Sequence, residues 1–122
     1  MKVYYSADEI LHNYERIISI YNGLEPAINV TINREDPTGK IRKEKYRLYG
    51  VELWLHENVG QIHKNQKIYL REPNRIKGNG WTSFYPQNIP NTVSEARKVK
   101  PWVEFDKTVP EEMISVFTMR WA

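Results

Sequence analysis

The chain contains no cysteine. Its 122 residues therefore hold no disulfide, no thiolate nucleophile and no cysteine-ligated zinc, haem or iron–sulfur centre. Long apolar runs are missing as well. No stretch approaches the roughly 20 residues that a membrane-spanning helix needs. The opening Met1-Lys2-Val3-Tyr4-Tyr5-Ser6-Ala7-Asp8-Glu9 carries no apolar segment behind its lone Lys2, so no secretory signal is expected. These absences give the expectation of a cytoplasmic protein without a membrane partner. Neither sign of charge dominates: 18 Lys and Arg stand against 15 Asp and Glu, a formal net charge of +3. A surplus this small points to an anionic partner only where it gathers on one surface. Repeats, low-complexity tracts and linkers are also lacking.

What remains is the composition of an ordinary folded protein, 40% hydrophobic and 27% charged. The length suits one domain over residues 1–122, which buries roughly two-thirds of the surface of its unfolded chain. Aromatic residues make up 12%, mostly Tyr and Trp. These types fill cores, anchor interfaces and stack on bases.

The first element is read as a helix. Ser6-Ala7-Asp8-Glu9 has the form of a capping box, with Tyr5 and Ile10 as its hydrophobic staple. Ile10, Leu11, Tyr14, Ile17, Ile18 and Tyr21 recur at helical spacing. Gly23 is placed as a left-handed cap, with Leu24 beside it and Pro26 as a stop, which predicts a helix over roughly residues 7–22. Alternation then takes over. Ile28, Val30 and Ile32 interleave with Asn29, Thr31 and Asn33 as in a half-buried strand. Asp36-Pro37-Thr38-Gly39 is a turn sequence. A long strand is expected from Ile41 to His56, with a bulge at Gly50 that brings Tyr46 and Leu48 onto the face of Val51, Leu53 and Leu55.

Asn58-Val59-Gly60 reads as a turn, and Lys67–Arg71 as a short strand. Gly78-Asn79-Gly80 signals a hairpin whose second arm is Trp81–Tyr85. Thr92-Val93-Ser94-Glu95 predicts a short helix ending before Pro101, and Trp102–Phe105 a strand. Thr108-Val109-Pro110-Glu111 is another capping-box match. Even so, Met113, Phe117, Met119 and Trp121 also alternate, and a final strand is the favoured reading of the tail. The fold class expected is α+β. An N-terminal amphipathic helix packs on a twisted, mainly antiparallel sheet of about five or six strands, with one short further helix.

Two constellations carry chemistry. On a strand Lys43, Lys45, Arg47 and Tyr49 share one face, opposite Tyr46 and Leu48 and hence towards solvent. A row of cations beside a ring can follow phosphates while the ring stacks on a base, and about three such contacts would give a log–log salt slope of roughly −2 to −3. The same pattern also fits a solvated face or an edge strand guarded by Lys. The second constellation is the hairpin, with Arg71, Arg75, Lys77, Trp81 and Tyr85. Its Gly-rich turn would admit phosphate, Arg would grip it, and Trp81 or Tyr85 would stack. A hairpin whose Trp81 and Phe84 belong to the core is the competing reading. Gly78-x-Gly80-x-x-Ser83 lacks the third glycine of a dinucleotide fingerprint.

His56 and His63 flank a turn beside Glu57 without further ligand spacing, so no metal is assigned. Glu104 and Asp106 share a strand face with Trp102 without forming a catalytic motif, and no nucleophile elbow exists. No catalytic residue and no cofactor are assigned. The expected function is non-enzymatic binding of an anionic ligand, single-stranded nucleic acid or a nucleotide, by the basic strand face and the hairpin. The alternative is a small protein-interaction module, an inhibitor or adaptor such as a bacterial or phage anti-defence factor, since Arg, Tyr and Trp also anchor protein interfaces. Pairing of an uncovered strand, either Ile28–Ile32 or the tail, would make a homodimer.

Overall fold

A computed structural model describes residues 1–5, 18–68, 74–85 and 101–122. It shows an α+β chain with mostly antiparallel strands and few helices. The elements in order are β1 (Lys2–Tyr4), β2 (Ile28–Glu35), β3 (Ile41–Leu48), α1 (Gly50–Asn58), β4 (Asn65–Lys67), β5 (Asn74–Gly78), β6 (Trp81–Tyr85), β7 (Trp102–Phe105) and α2 (Glu111–Trp121). No helix among the described residues is long and apolar enough to cross a membrane.

Among the described residues the strands form two sheets, not the single sheet expected. One has four antiparallel strands in the order β1-β7-β6-β5, the other three in the order β3-β2-β4. The division follows from strand length. β4 is only three residues long and pairs in parallel with Asn33, Arg34 and Glu35 of β2, while the chain just before it turns to the edge of β5. There Ile62 bridges Gly78, and the His63 N–H donates to the Lys77 carbonyl at 3.0 Å. Gln66, 4% exposed, completes the joint with its side chain. Its Nε2 donates to the Lys77 carbonyl (2.7 Å) and the His63 carbonyl (2.9 Å), and its Oε1 accepts the Lys77 N–H (3.0 Å). A buried amide thus serves as one more peptide group on β5, with its donor and acceptor both satisfied.

Most of the predicted helix over residues 7–22 and the whole of that over 92–100 lie outside the described residues. Residues 18–21 are helical, and they end as the sequence suggests. Gly23 has φ 74°, its N–H donates to the Ile20 carbonyl, and the Leu24 N–H donates to the Ser19 carbonyl at 2.8 Å, which is the double closure of a Schellman motif. Of the strand expected at Lys67–Arg71, the observed one is Asn65–Lys67, and residues 69–71 are outside the described set.

The strand expected from Ile41 to His56 is corrected. β3 ends at Leu48, and Gly50, at φ 56°, turns the chain into α1. The change of phase is a change of element, not a bulge. As a helix the segment buries Val51, Glu52, Leu53 and Leu55 on one broad side. Only this geometry brings Glu52 back to Tyr46, whose hydroxyl donates to both carboxylate oxygens at 2.9 and 2.8 Å. Leu and Glu also favour helix by intrinsic preference.

The tail is likewise helix, not strand. Ile114, Phe117 and Trp121 are buried at helical spacing, while Met119, which alternation would have placed inside, is 88% exposed. The capping box expected there is not used. Pro110 is the N-cap and makes no side-chain bond, and Thr108 instead bonds Asp106 in the preceding turn.

Among the described residues the core is one cluster that joins both sheets with α1 and α2. It includes Ile32 and Leu48 from the three-stranded sheet, Trp81, Val103 and Phe105 from the four-stranded one, Leu55 from α1 and Phe117 from α2. Phe117 stands edge-on to Phe105 (5.2 Å, 73°) and tilted to Trp54 (5.7 Å, 60°). Such pairs add about 0.5–1.5 kcal/mol beyond the area they bury. β2 lies between β3, which pairs with it throughout, and β4, which reaches it at Asn33–Glu35. Of the two strands expected to pair in a homodimer, the tail is helix, whereas Ile28–Ile32 meets β3 on one side and has no strand on the other among the described residues.

Candidate functional site

The turn Asp36–Gly39 sets the geometry of the basic face. Asp36 Oδ1 accepts the Thr38 N–H (2.9 Å), the Thr38 hydroxyl (2.6 Å) and the Lys40 N–H (3.0 Å). The Thr38 hydroxyl above all, with the two backbone donors and nearby Arg42, holds the Asp36 carboxyl below its ordinary range. Closed this way, the turn fixes the register: Glu35 pairs Ile41, Asn33 pairs Lys43, Thr31 pairs Lys45 and Asn29 pairs Arg47. Directly opposite residues share a face. Lys43, Lys45 and Arg47 are all exposed, and the intervening Glu44, Tyr46 and Leu48 turn inwards.

The face carries three columns. Ile41, Lys43, Lys45 and Arg47 come from β3, Glu35, Asn33, Thr31 and Asn29 from β2, and Lys67 and Asn65 from β4. Four cations stand there against one carboxylate, a surplus equal to the +3 of the whole chain. Glu35 sits at one end, between Ile41 and Lys67. Among the described residues no ion pair is made by Lys43, Lys45 or Arg47. Their direct neighbours are amides and a hydroxyl. Arg47 Nε donates to Asn29 Oδ1 at 3.4 Å, and Asn33 Nδ2 to Asn65 Oδ1 at 3.1 Å. An open hollow of about 530 Å³ lies at the turn end, lined by Glu35, Asp36, Thr38, Lys67 and neighbours.

The opposite face of this sheet carries Arg34, Arg42, Glu44 and Tyr46. Arg34 Nε meets Glu44 Oε2 at 2.7 Å. Tyr46 is held protonated to unusually high pH, first by burial and then by the charge and hydrogen bond of Glu52. The two faces of the sheet therefore differ: beneath, Arg34 is paired with Glu44 and Arg42 lies opposite Arg34, whereas above, Lys43, Lys45 and Arg47 stand beside neutral groups.

Tyr49 does not share the cation row. It lies past the end of β3, is half-buried and serves as the N-cap position of α1. The hairpin residues are on the other sheet. Trp81 is 2% exposed, with its Nε1 donating to the Gly60 carbonyl at 2.6 Å, and is a core residue rather than a stacking platform. Gly78 is what admits it, since a Cβ there would fall 2.1 Å from the indole ring. Lys77 is exposed and lends its charge to Asp106, whose carboxyl is lowered chiefly by Thr108. Arg75 lies over Phe84, 5.2 Å from the ring centroid. Arg71 is outside the described residues, as is the side chain of Tyr85.

That outer sheet face carries an aromatic array absent from the sequence reading. Phe84 stacks on Trp102 at 4.7 Å and 9°, and from the β1 side Lys2 Nζ lies 4.2 Å from the Trp102 ring and 5.1 Å from Tyr4. Arg75, Phe84, Trp102 and Lys2 form a ladder across the strands, in which Phe84 is buried, Trp102 half-buried and Tyr4, beside Trp102, exposed. Among the described residues no cluster of His, Asp and Glu is placed to hold a metal. His56 is engaged structurally, its Nδ1 accepting the Ile62 N–H at 2.9 Å.

The sequence reading identified the three cations of β3 but not Asn29, Thr31, Asn33, Asn65 or Lys67 around them. Counting outward from the Asp36–Gly39 turn would have paired the first three with the cations. The β4 residues needed the tertiary structure. Comparison with protein-family models, with curated proteins and with solved structures finds no match to this chain.

Proposed function

We propose that this protein binds a phosphate-bearing ligand, a nucleic acid or a nucleotide, without chemistry of its own, on the β3-β2-β4 face. One observation carries the reading: the net positive charge of the chain is matched on a single exposed sheet face, beside neutral hydrogen-bonding groups. Lys43, Lys45 and Arg47 supply charge-assisted donors, and Lys67 adds a fourth cation near the turn. The hairpin contributes less than the sequence suggested, because Trp81 is interior and Arg75 is engaged with Phe84.

The alternative of a protein-docking module draws on the same cations. Against it, tight protein interfaces centre on apolar or aromatic anchors. The middle of this face is Thr31 beside Lys45, and its exposed apolar residue, Ile41, is at the rim.

The test is retention on a phosphorylated matrix and solution binding of nucleotides and oligonucleotides, for the native chain and for Lys43→Gln/Lys45→Gln/Arg47→Gln. Native binding that weakens with salt and disappears in the triple variant supports the reading. Equal binding by both proteins, or binding by neither, refutes it.

A further inference from the structure

Resting on that reading, we infer that the ligand is a single-stranded nucleic acid lying along β3, with successive phosphates over Lys43, Lys45 and Arg47 and its bases over the row Asn29, Thr31 and Asn33. Alternate residues on a strand are about 6.8 Å apart, and adjacent strands about 4.8 Å. The three cations thus form a straight line about 14 Å long, with one charge for each step of an extended sugar–phosphate chain. A nucleotide or free phosphate could meet only one or two of them at once. A linear polyanion meets all three, and each contact releases counterions.

The second row decides between linear polyanions. Directly beside the cations, in register, stand two carboxamides and a hydroxyl, extended by Asn65 next to Asn33. A carboxamide offers both a donor and an acceptor, which suits the edges of unpaired bases and sugar hydroxyls of either polarity. A polyphosphate chain would offer these groups only acceptor oxygens and leave the carboxamide oxygens without a donor. In a duplex the base edges lie within grooves, out of reach of short side chains on a flat sheet. Asn29 also bonds Arg47 Nε at 3.4 Å, and so steadies the guanidinium at one end of the line. No ring in this row is available for stacking, so recognition here is by charge and hydrogen bonds, with little preference among bases.

The experiment is fluorescence anisotropy with end-labelled oligothymidylates from a mononucleotide to a dodecamer, with a hairpin duplex and inorganic triphosphate as competitors. Affinity should rise steeply up to about four nucleotides, the length that supplies three phosphates, and level off beyond. The log–log salt slope should be about −2, so that raising salt fourfold weakens binding about 20-fold. Lys45→Gln should reduce the slope by about 0.7. Thr31→Ala/Asn33→Ala should weaken single-strand binding several-fold and leave the slope unchanged, because neutral groups release no counterions. Duplex or triphosphate competing as well as single strand, or an unchanged affinity in Thr31→Ala/Asn33→Ala, overturns this inference while leaving phosphate binding in place. Absence of binding to every one of these probes overturns the proposed function as well.

Discussion

Replacing Tyr46 by Phe should destabilise the chain by about 1.5–3 kcal/mol, since it removes a charge-assisted hydrogen bond from a buried carboxylate. The Tyr46 hydroxyl donates to Glu52 Oε1 and Oε2 at 2.9 and 2.8 Å, and Glu52 is 5% exposed. Phe fills the same space but gives the carboxylate no proton. For 122 residues the unfolding entropy is about 0.26 kcal/mol per kelvin, so about 2 kcal/mol corresponds to a fall of roughly 8 °C in Tm. The pH dependence gives an independent check. The folded pKa of Tyr46 is raised above the ordinary tyrosine value of 10.0, chiefly by burial. Below pH 10 the tyrosine is protonated in both states and its contribution is complete. Above that, the unfolded chain loses the proton first, and native stability falls by up to about 1.4 kcal/mol per pH unit from this group. Thermal unfolding followed by circular dichroism from about pH 7 to about pH 11 should therefore show the native protein and the Tyr46→Phe variant converging at alkaline pH. Glu52→Gln, which keeps an acceptor for the hydroxyl at neutral charge, should cost less than Tyr46→Phe. A Tm loss under about 2 °C for Tyr46→Phe, with parallel pH curves, would show that this contact does not anchor α1 to β3.

Gly78→Ala drives a Cβ into the Trp81 indole, and should cost about 1–3 kcal/mol and disturb the tryptophan emission; an unchanged Tm and spectrum would contradict the packing described. Asp36 and Asp106 each accept from a Thr two residues on, so their carboxyls should titrate by carbon-13 NMR with midpoints below 3.8, and Thr38→Val should move only Asp36 back upwards. Because these folded pKa values are depressed, the stability they contribute is present above the ordinary carboxylate pKa and is lost as pH falls through the folded values.

How far the sequence could be read depended on whether the deciding partner was local. The face of Lys43, Lys45 and Arg47 follows from strict alternation, and the turns at Asp36–Gly39 and Asn79-Gly80 from their own residues. Gly23 was legible as a helix cap for the same reason. Val51, Leu53 and Leu55 alternate as in a strand, helical spacing relating only Val51 to Leu55, and the helix is marked instead by Glu52 reaching Tyr46, a contact made only after folding. In the tail, Met113, Phe117, Met119 and Trp121 imitate a strand because Met119 is an apolar residue left in solvent. β1 had no local signal at all: its three residues are a strand because Val3 finds Val103 a hundred positions away. The neutral company of the basic row could be counted from the turn, whereas the contribution of β4 rests on its parallel pairing with β2.

The joint formed by Gln66 bears on how the chain responds to its surroundings. It links the two sheets through an uncharged carboxamide that neither titrates nor attracts counterions. Electrolyte and acidity therefore act on this joint only weakly. On the proposed reading, a rising ionic strength weakens ligand binding at the basic face and leaves this uncharged joint intact.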